Sequence, residues 1–94
     1  MRTDHIRTAI RLMEYKTTIK AAEGEHLTHQ GVLDRIDSLE EELGFPLFRR
    51  VVPGGNRRLY LPTDQGVVFL LWASQALAML EEGRLEAIEG KVKK

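Results

Sequence analysis

A cluster of arginines around a glycine-rich segment is the most distinct chemical feature of this sequence. The cluster consists of Arg49, Arg50, Arg57 and Arg58. It flanks Gly54-Gly55-Asn56, and residues 45–62 contain no acid, so this stretch has a net charge of +4. Guanidinium groups on a protruding turn are suited to the phosphate oxygens of a polyanion. The alternative is a hairpin whose charges only keep the protein soluble.

Enzymatic and metal chemistry has little support in the sequence. The only serines, Ser38 and Ser74, lie outside nucleophile motifs, and the absence of cysteine excludes thiol catalysis and disulfides. His26 and His29 have the i, i+3 spacing of some metal ligands, but they straddle a predicted helix start and lack a third ligand. We therefore expect no catalytic residue, no metal and no cofactor.

The distribution of charge is more informative than its sum, since 14 basic and 14 acidic residues cancel. Residues 1–20 have a net charge of +3, residues 21–44 have −6, and residues 63–94 have −1. The two basic segments can converge on one face of a folded domain while the acidic segment faces elsewhere. The alternative is that these charges are ordinary solvated surface.

Length and composition indicate one small cytoplasmic domain. The chain has 94 residues, of which 43% are hydrophobic and 30% are charged, as is typical of a globular protein. The N-terminus has no signal-peptide pattern, and no apolar run approaches the roughly 18 residues of a membrane span. We expect no membrane partner.

Candidate capping residues divide the chain into helices. The predicted N-caps are Asp4, Thr17 or Thr18, Thr28 and Thr63. Gly24 and Gly44 are predicted to end the second and third helices. After the third helix, β-prone residues on both sides of the glycine-rich segment predict a hairpin, with Pro53 at an edge or a strand end.

Apolar spacing predicts which faces of these helices are buried. The predicted inward residues are Ile6, Ala9, Ile10 and Met13 in the first helix, Ile19, Ala21 and Ala22 in the second, and Val32, Ile36 and Leu39 in the third. This stripe on the third helix leaves Gln30, Asp34 and Asp37 on its outward face. The run Glu40-Glu41-Glu42 is predicted to be a solvated helix face.

The last helix is apolar on all sides. Residues 67–73 are seven consecutive apolar residues, and residues 76–80 add five more. A surface helix needs a single apolar stripe, so one that is apolar all round must be covered all round. We expect a homodimer through this helix; the alternative is a fold that covers it within one chain. The predicted dimer residues are Val67, Leu70, Leu71, Trp72, Leu77 and Leu80.

The predicted elements follow the order of a winged helix-turn-helix: a helix, a short helix, a tight turn, a third helix and a basic hairpin. Three segments resemble the DNA-binding domain of LysR-type transcriptional regulators: Ala21-Ala22-Glu23, the run from Leu39 to Arg50 that contains Leu43-Gly44-Phe45-Pro46-Leu47-Phe48, and Pro62-Thr63-Asp64-Gln65-Gly66. The resemblance implies a mainly α fold. Residues 1–62 would form a three-helix head with a two-stranded β wing, residues 63–90 a linker and dimerisation helix, and residues 91–94 a frayed basic tail.

Three departures from the family pattern bear on function. Family members usually continue into a larger effector-binding domain, and this sequence stops where that domain would begin, so no ligand-sensing region is expected. In the third helix the family commonly has a serine followed by an arginine, whereas this chain has Leu33 and Asp34. Glu25 also stands where the family usually has an apolar residue.

The resemblance implies two sets of DNA contacts. The third helix would read base edges with Thr28, His29, Gln30, Leu33, Asp34 and Arg35. The phosphate backbone would be held by Thr17, Thr18, Arg50, Asn56, Arg57 and Arg58. The alternatives are a packing role for His29 and an inert surface position for Gln30.

These observations predict a homodimeric transcriptional regulator that binds double-stranded DNA at an inverted-repeat operator. A rival hypothesis is an interaction module that forms a heterodimer with a full-length regulator and inactivates it, which Leu33, Asp34 and Asp37 favour. A third interpretation places the chain near the molybdate-responsive regulators, which have a similar N-terminal winged helix.

Overall fold

The computed structural model describes residues 1–54 and 57–90, and for residues 53, 54 and 57 it describes the backbone alone. The chain forms α1 (Thr3–Tyr15), α2 (Thr18–Glu25), α3 (His29–Leu43), β1 (Phe48–Gly54), β2 (Arg57–Pro62) and α4 (Asp64–Glu89). This order confirms the predicted mainly α fold with a two-stranded wing and a long C-terminal helix.

Threonine caps begin three of the helices as predicted. Thr17, Thr28 and Thr63 each accept a hydrogen bond from the backbone amide three residues further on, at 3.5, 3.0 and 2.9 Å. The prediction for Asp4 is wrong. Helix α1 begins at Thr3, and its N-cap is Arg2, two residues before the predicted cap; Arg2 makes no side-chain capping hydrogen bond. Asp4 lies inside the first turn, where the helix dipole favours a carboxylate.

The helix ends follow the glycine signals only in part. Gly44 ends α3 in the left-handed conformation, with a φ of 82°, as predicted. Helix α2 continues past Gly24 to Glu25 and ends at His26, which has a φ of 54°. Lys16, with a φ of 64°, ends α1 in the same way, so two of these turns are made without glycine.

The three head helices pack around small and branched side chains. Val32, Ile36 and Leu39 are buried as predicted, and so are the two alanines of α2. In α1 the most deeply buried apolar side chains are Ala9 and Leu12, while the other predicted positions are partly buried around them. The prediction for Ile19 is wrong, since it is 67% exposed. Because α2 has only eight residues, its two alanines suffice to pack against both α1 and α3.

The wing is an antiparallel hairpin that is fixed to the head through Tyr60. Arg50 pairs with Tyr60 across the strands, and the register shifts between Val51 and Gly54. The Tyr60 amide donates a hydrogen bond of 2.8 Å to the carbonyl of Lys16, in the turn between α1 and α2. The wing and the start of α2 are therefore held in one position relative to each other.

Glu40 organises the turn between α3 and the wing, so the prediction that it belongs to a solvated face is wrong. Its carboxylate accepts hydrogen bonds from the backbone amides of Leu47 and Phe48, the second at 3.2 Å. Glu41 and Glu42 are exposed, as predicted for the run. Glu40 is the structural acid of the three because it lies about one turn before the end of α3. The Leu47 and Phe48 amides that follow the helix are therefore within reach of its carboxylate.

Replacing Glu40 with glutamine is expected to lower the free energy of unfolding by about 1–3 kcal/mol, since hydrogen bonds to a charged acceptor become weaker neutral ones. Glu41→Gln makes the same chemical change at the neighbouring exposed position and should alter stability by less than about 0.5 kcal/mol. Urea denaturation of both variants measures the difference. Equal effects would contradict the role assigned to Glu40.

Helix α4 is buried along a short stripe at its start. Gly66, Leu70 and Ala73 face the head, where α4 packs against α1 and β2. No described residue of α4 beyond Ala73 is buried. The first part of α4 is therefore packed on the head, and the remainder extends away from it.

Candidate nucleic-acid interface

A cleft of about 680 Å³ lies between the start of α2, the start of α3 and the wing. Its lining residues are Tyr15, Thr17, Thr18, Ile19, Lys20, His29, Arg58 and Leu59. Four of the predicted DNA-contacting residues therefore meet in one place although they come from three separate elements. Sequence reasoning missed Tyr15, Ile19, Lys20 and Leu59. The available signal was that each lies within two residues of a predicted contact residue.

The cleft is electropositive. Lys20 and Arg58 are exposed cations on its wall, and the eight-residue helix α2 begins there with its free amides. The partial positive charge of a helix N-terminus attracts anions, and threonine hydroxyls can donate to them. Among the described residues, no acidic side chain lines the cleft. This arrangement is suited to a phosphate group.

A short hydrogen bond connects the two helices at the cleft. The Thr18 hydroxyl and His29 Nδ1 are 2.5 Å apart, and Thr18 itself is buried. With Nδ1 engaged, His29 Nε2 is the ring atom left to interact with a ligand. His29 thus has both a positioning contact and a free polar edge.

The outward face of α3 is acidic. Gln30, Asp34 and Asp37 are exposed as predicted, and Thr28 is exposed at the cap. The Gln30 side-chain amide donates a hydrogen bond of 2.9 Å to the Asp34 carboxylate. Leu33 is half-buried against the core.

Arg35 is turned away from this face. Its Nη1 donates to the Thr8 hydroxyl at 3.2 Å and to the carbonyl of Asp4 at 3.4 Å. Its Nη2 lies 3.8 Å from the Asp4 carboxylate. The three contacts hold the guanidinium against α1. Arg35 is therefore not among the residues that we propose to read bases.

Asp4 is expected to make stability depend on pH. Partial desolvation raises the pKa of its carboxyl, but the hydrogen bonds and charge of Arg2 and the His5 amide outweigh this, and the pKa is lower than usual. The stabilisation is complete above the ordinary value of 3.8 and is lost as the pH falls through the lowered folded value. In thermal melts from pH 6 to pH 2, the melting temperature should fall less for Asp4→Asn than for the unmodified chain. Asp37→Asn, at an exposed acid, is the control; an unchanged pH profile for Asp4→Asn would contradict this.

The predicted wing residues are only partly described. Arg50 is exposed and its guanidinium carbon lies 5.7 Å from the centre of the Tyr60 ring, a cation–π geometry. Arg58 is exposed at the cleft. Asn56 and the side chain of Arg57 lie outside the described residues, as does the predicted tail 91–94.

An exposed apolar surface covers much of α4. Four of the predicted dimer residues are exposed, Trp72 by 70% and Leu80 by 64%, with Leu71 and Val67 less so. Leu77 is half-buried. Leu70 is fully buried in the core of its own chain and is not part of this surface. Sequence reasoning missed further exposed apolar residues, namely Val68, Met79, Leu85 and Ile88.

Two other kinds of site are absent from the described part of the chain. No helix there is long and apolar enough to cross a membrane. Within the same residues, no three His, Asp or Glu side chains come close enough together to hold a metal ion.

The head, wing and cleft define a winged helix-turn-helix protein. The profile of the family described as "Bacterial regulatory helix-turn-helix protein, lysR family" matches residues 3–67. The chain belongs to this family of DNA-binding transcription regulators, which confirms the resemblance inferred from the sequence.

Solved structures with the same fold include several that contain DNA. The DNA-binding domain of BenM in complex with benA site 1 DNA is 24% identical, with a TM-score of 0.82, and the match covers 95% of this chain and 94% of that one. The corresponding complex of CbnR is 22% identical, with a TM-score of 0.82, covering 97% and 100%. Vibrio fischeri DarR in complex with DNA is 21% identical, with a TM-score of 0.84, covering 95% and 29%. The present chain thus spans about 30% of the longer relatives.

Proposed function

We propose that this protein binds double-stranded DNA sequence-specifically as a homodimer at an inverted-repeat operator. In this proposal residues 1–62 form the DNA-binding head and residues 63–90 the dimerisation helix. The observation that carries it is the electropositive cleft between α2, α3 and the wing, with Lys20 and Arg58 beside the start of α2. Three relatives with the same fold are solved in complex with DNA.

The phosphate backbone is assigned to the cleft. A phosphate at the start of α2 can accept hydrogen bonds from the free amides there and from Thr17 or Thr18, while Lys20 and Arg58 neutralise its charge. Arg50 and the wing tip extend the contact along the duplex. Docking of the cleft places the first turns of α3 over the major groove, with His29 and Gln30 nearest the base edges.

Dimerisation is assigned to α4. Eight of its large apolar side chains are exposed, and an extended exposed apolar surface marks an interaction site. A second copy supplies a matching apolar helix, and two-fold symmetry makes such an interface self-complementary. Two heads related by that axis meet half-sites about one helical turn apart, or a multiple of it.

Fluorescence provides a direct test of the dimer. Trp72 is the single tryptophan, and it is 70% exposed in the isolated chain. Its emission should shift to shorter wavelength as the protein concentration rises through the dissociation constant of the dimer, because the indole moves from water into an apolar contact. Emission that stays unchanged, together with a one-chain mass in ultracentrifugation, would refute the homodimer.

A second candidate function is inactivation of a full-length regulator by heterodimerisation. The acidic outward face of α3 favours it, since Asp34 and Asp37 oppose the approach of phosphates. Co-expression with a related full-length regulator separates the two functions. A stable mixed dimer that fails to bind an operator supports this candidate, whereas a homodimer on DNA supports the first.

A further inference from the structure

The hydrogen-bonding groups on the outward face of α3 are almost all acceptors. Arg35 is the single arginine or lysine of α3, and it is held against α1 by Asp4 and Thr8. The Asp34 carboxylate can only accept hydrogen bonds while it is ionised. The Gln30 amide nitrogen already donates to Asp34, which leaves the pair with carboxylate and carbonyl oxygens and one remaining amide hydrogen.

The major groove offers two kinds of base edge to such a surface. Cytosine N4 and adenine N6 are exocyclic amino groups that donate hydrogen bonds, whereas guanine N7 and O6 and thymine O4 are acceptors. An acceptor on the protein that faces an acceptor on the base is repelled and leaves both groups without a partner. The face around Asp34 therefore matches amino groups.

We propose that α3 selects, on the strand that Asp34 faces, a base with an exocyclic amino group in the major groove, and rejects guanine and thymine there. This inference rests on the proposed DNA-binding function. Asp34 is the discriminating residue, and Gln30 is a positioning residue that fixes its carboxylate through the hydrogen bond of 2.9 Å. The preference is the opposite of the one that an arginine would confer, since arginine donates to guanine.

The same carboxylate lowers affinity for every duplex. Asp34 and Asp37 bring two negative charges towards the phosphates, and this repulsion does not depend on sequence. The readout and the repulsion can be separated because the two acids differ in one contact. Asp34 is bonded to Gln30, while Asp37 is an exposed acid of the same face without that hydrogen bond.

Selection of bound duplexes from a random library, followed by anisotropy on the selected site and its three single-base variants at each fixed position, tests the inference. The unmodified chain should select cytosine or adenine at one position and bind the guanine variant about tenfold more weakly. Asp34→Asn should lose this discrimination, because an amide both donates and accepts, and Asp34→Arg should prefer guanine. Asp37→Asn should raise affinity for all duplexes alike and keep the base preference.

The outcomes distinguish a failure of the base preference from a failure of the proposed DNA binding. A base preference that Asp34→Asn leaves unchanged at every fixed base pair overturns the inference and leaves DNA binding intact. Binding to mixed-sequence DNA without enrichment of any site also overturns it. Absence of all binding at low salt overturns the proposed function itself.

Discussion

Replacing Gly66 with alanine is expected to remove about 3 kcal/mol or more of folding stability, a large share of what a small domain has. An ideal Cβ at this position would overlap the carbonyl oxygen of Leu47 and lie 2.9 Å from its carbonyl carbon. These are backbone atoms, so no side chain can rotate away to make room.

The Leu47 backbone cannot move cheaply because it is held from both sides. Its amide donates to the Glu40 carboxylate, and its carbonyl accepts a hydrogen bond of 2.9 Å from the Thr63 amide. The Thr63 hydroxyl also donates to the carbonyl of Pro46 at 2.6 Å. Moving α4 outward to accommodate a methyl group would break this network and lift Leu70 out of the core.

Gly83→Ala is the matched control in the same helix. A Cβ at Gly83 meets nothing within 4 Å, and glycine in a helix interior costs roughly 0.5–1 kcal/mol relative to alanine. Chemical denaturation should therefore show Gly83→Ala slightly more stable than the unmodified chain and Gly66→Ala largely unfolded. A Gly66→Ala protein with unchanged stability would disprove the close approach of α4 to the Leu47 backbone.

Removing Arg58 is expected to weaken DNA binding roughly 10- to 100-fold, because Arg58→Ala deletes one charged phosphate contact in each half of a dimer. Arg58 is the exposed cation of β2 at the cleft, opposite the start of α2. The slope of log affinity against log salt should also become shallower by about 1.8, at roughly 0.9 for each phosphate lost. Anisotropy titrations of a labelled duplex at several salt concentrations measure both quantities.

Arg84→Ala removes the same charge at a site far along α4. The Arg84 guanidinium pairs with Glu81 at 2.6 Å, which raises its pKa through that hydrogen bond and charge, and it does not line the cleft. This variant should keep the affinity and the salt slope of the unmodified chain. Equal losses in both variants would show that the attraction to DNA is a general charge effect and that the cleft has no special part in it.

Local signals in the sequence were sufficient for most of the fold. The threonine caps at Thr17, Thr28 and Thr63 and the terminating Gly44 act within one helical turn, so their residue types nearly determine the outcome. The apolar stripe of α3 was also predicted correctly, because a long helix with one buried face has a clear period.

Three outcomes that the sequence did not predict depend on contacts between residues distant in the chain. In the sequence, Glu40 cannot be distinguished from Glu41 and Glu42. Only the folded turn brings the Leu47 and Phe48 amides to its carboxylate. From the sequence, Arg35 is expected to be an exposed cation. Its hydrogen bond to the Thr8 hydroxyl of α1, 27 residues away in sequence, forms only in the fold. Leu70 reads as one of many apolar residues on α4, and only the packing of that helix on the head distinguishes it from its exposed neighbours.

The stoichiometry of the complex with DNA is the most direct test of the proposed function. Sedimentation of a labelled inverted-repeat duplex, obtained by selection from a random library, should show two chains bound to each duplex. The free protein at micromolar concentration should sediment as a pair of chains. A stable single chain that binds the duplex one to one, or does not bind it at low salt, would contradict the assignment of α4 to dimerisation and of the cleft to DNA.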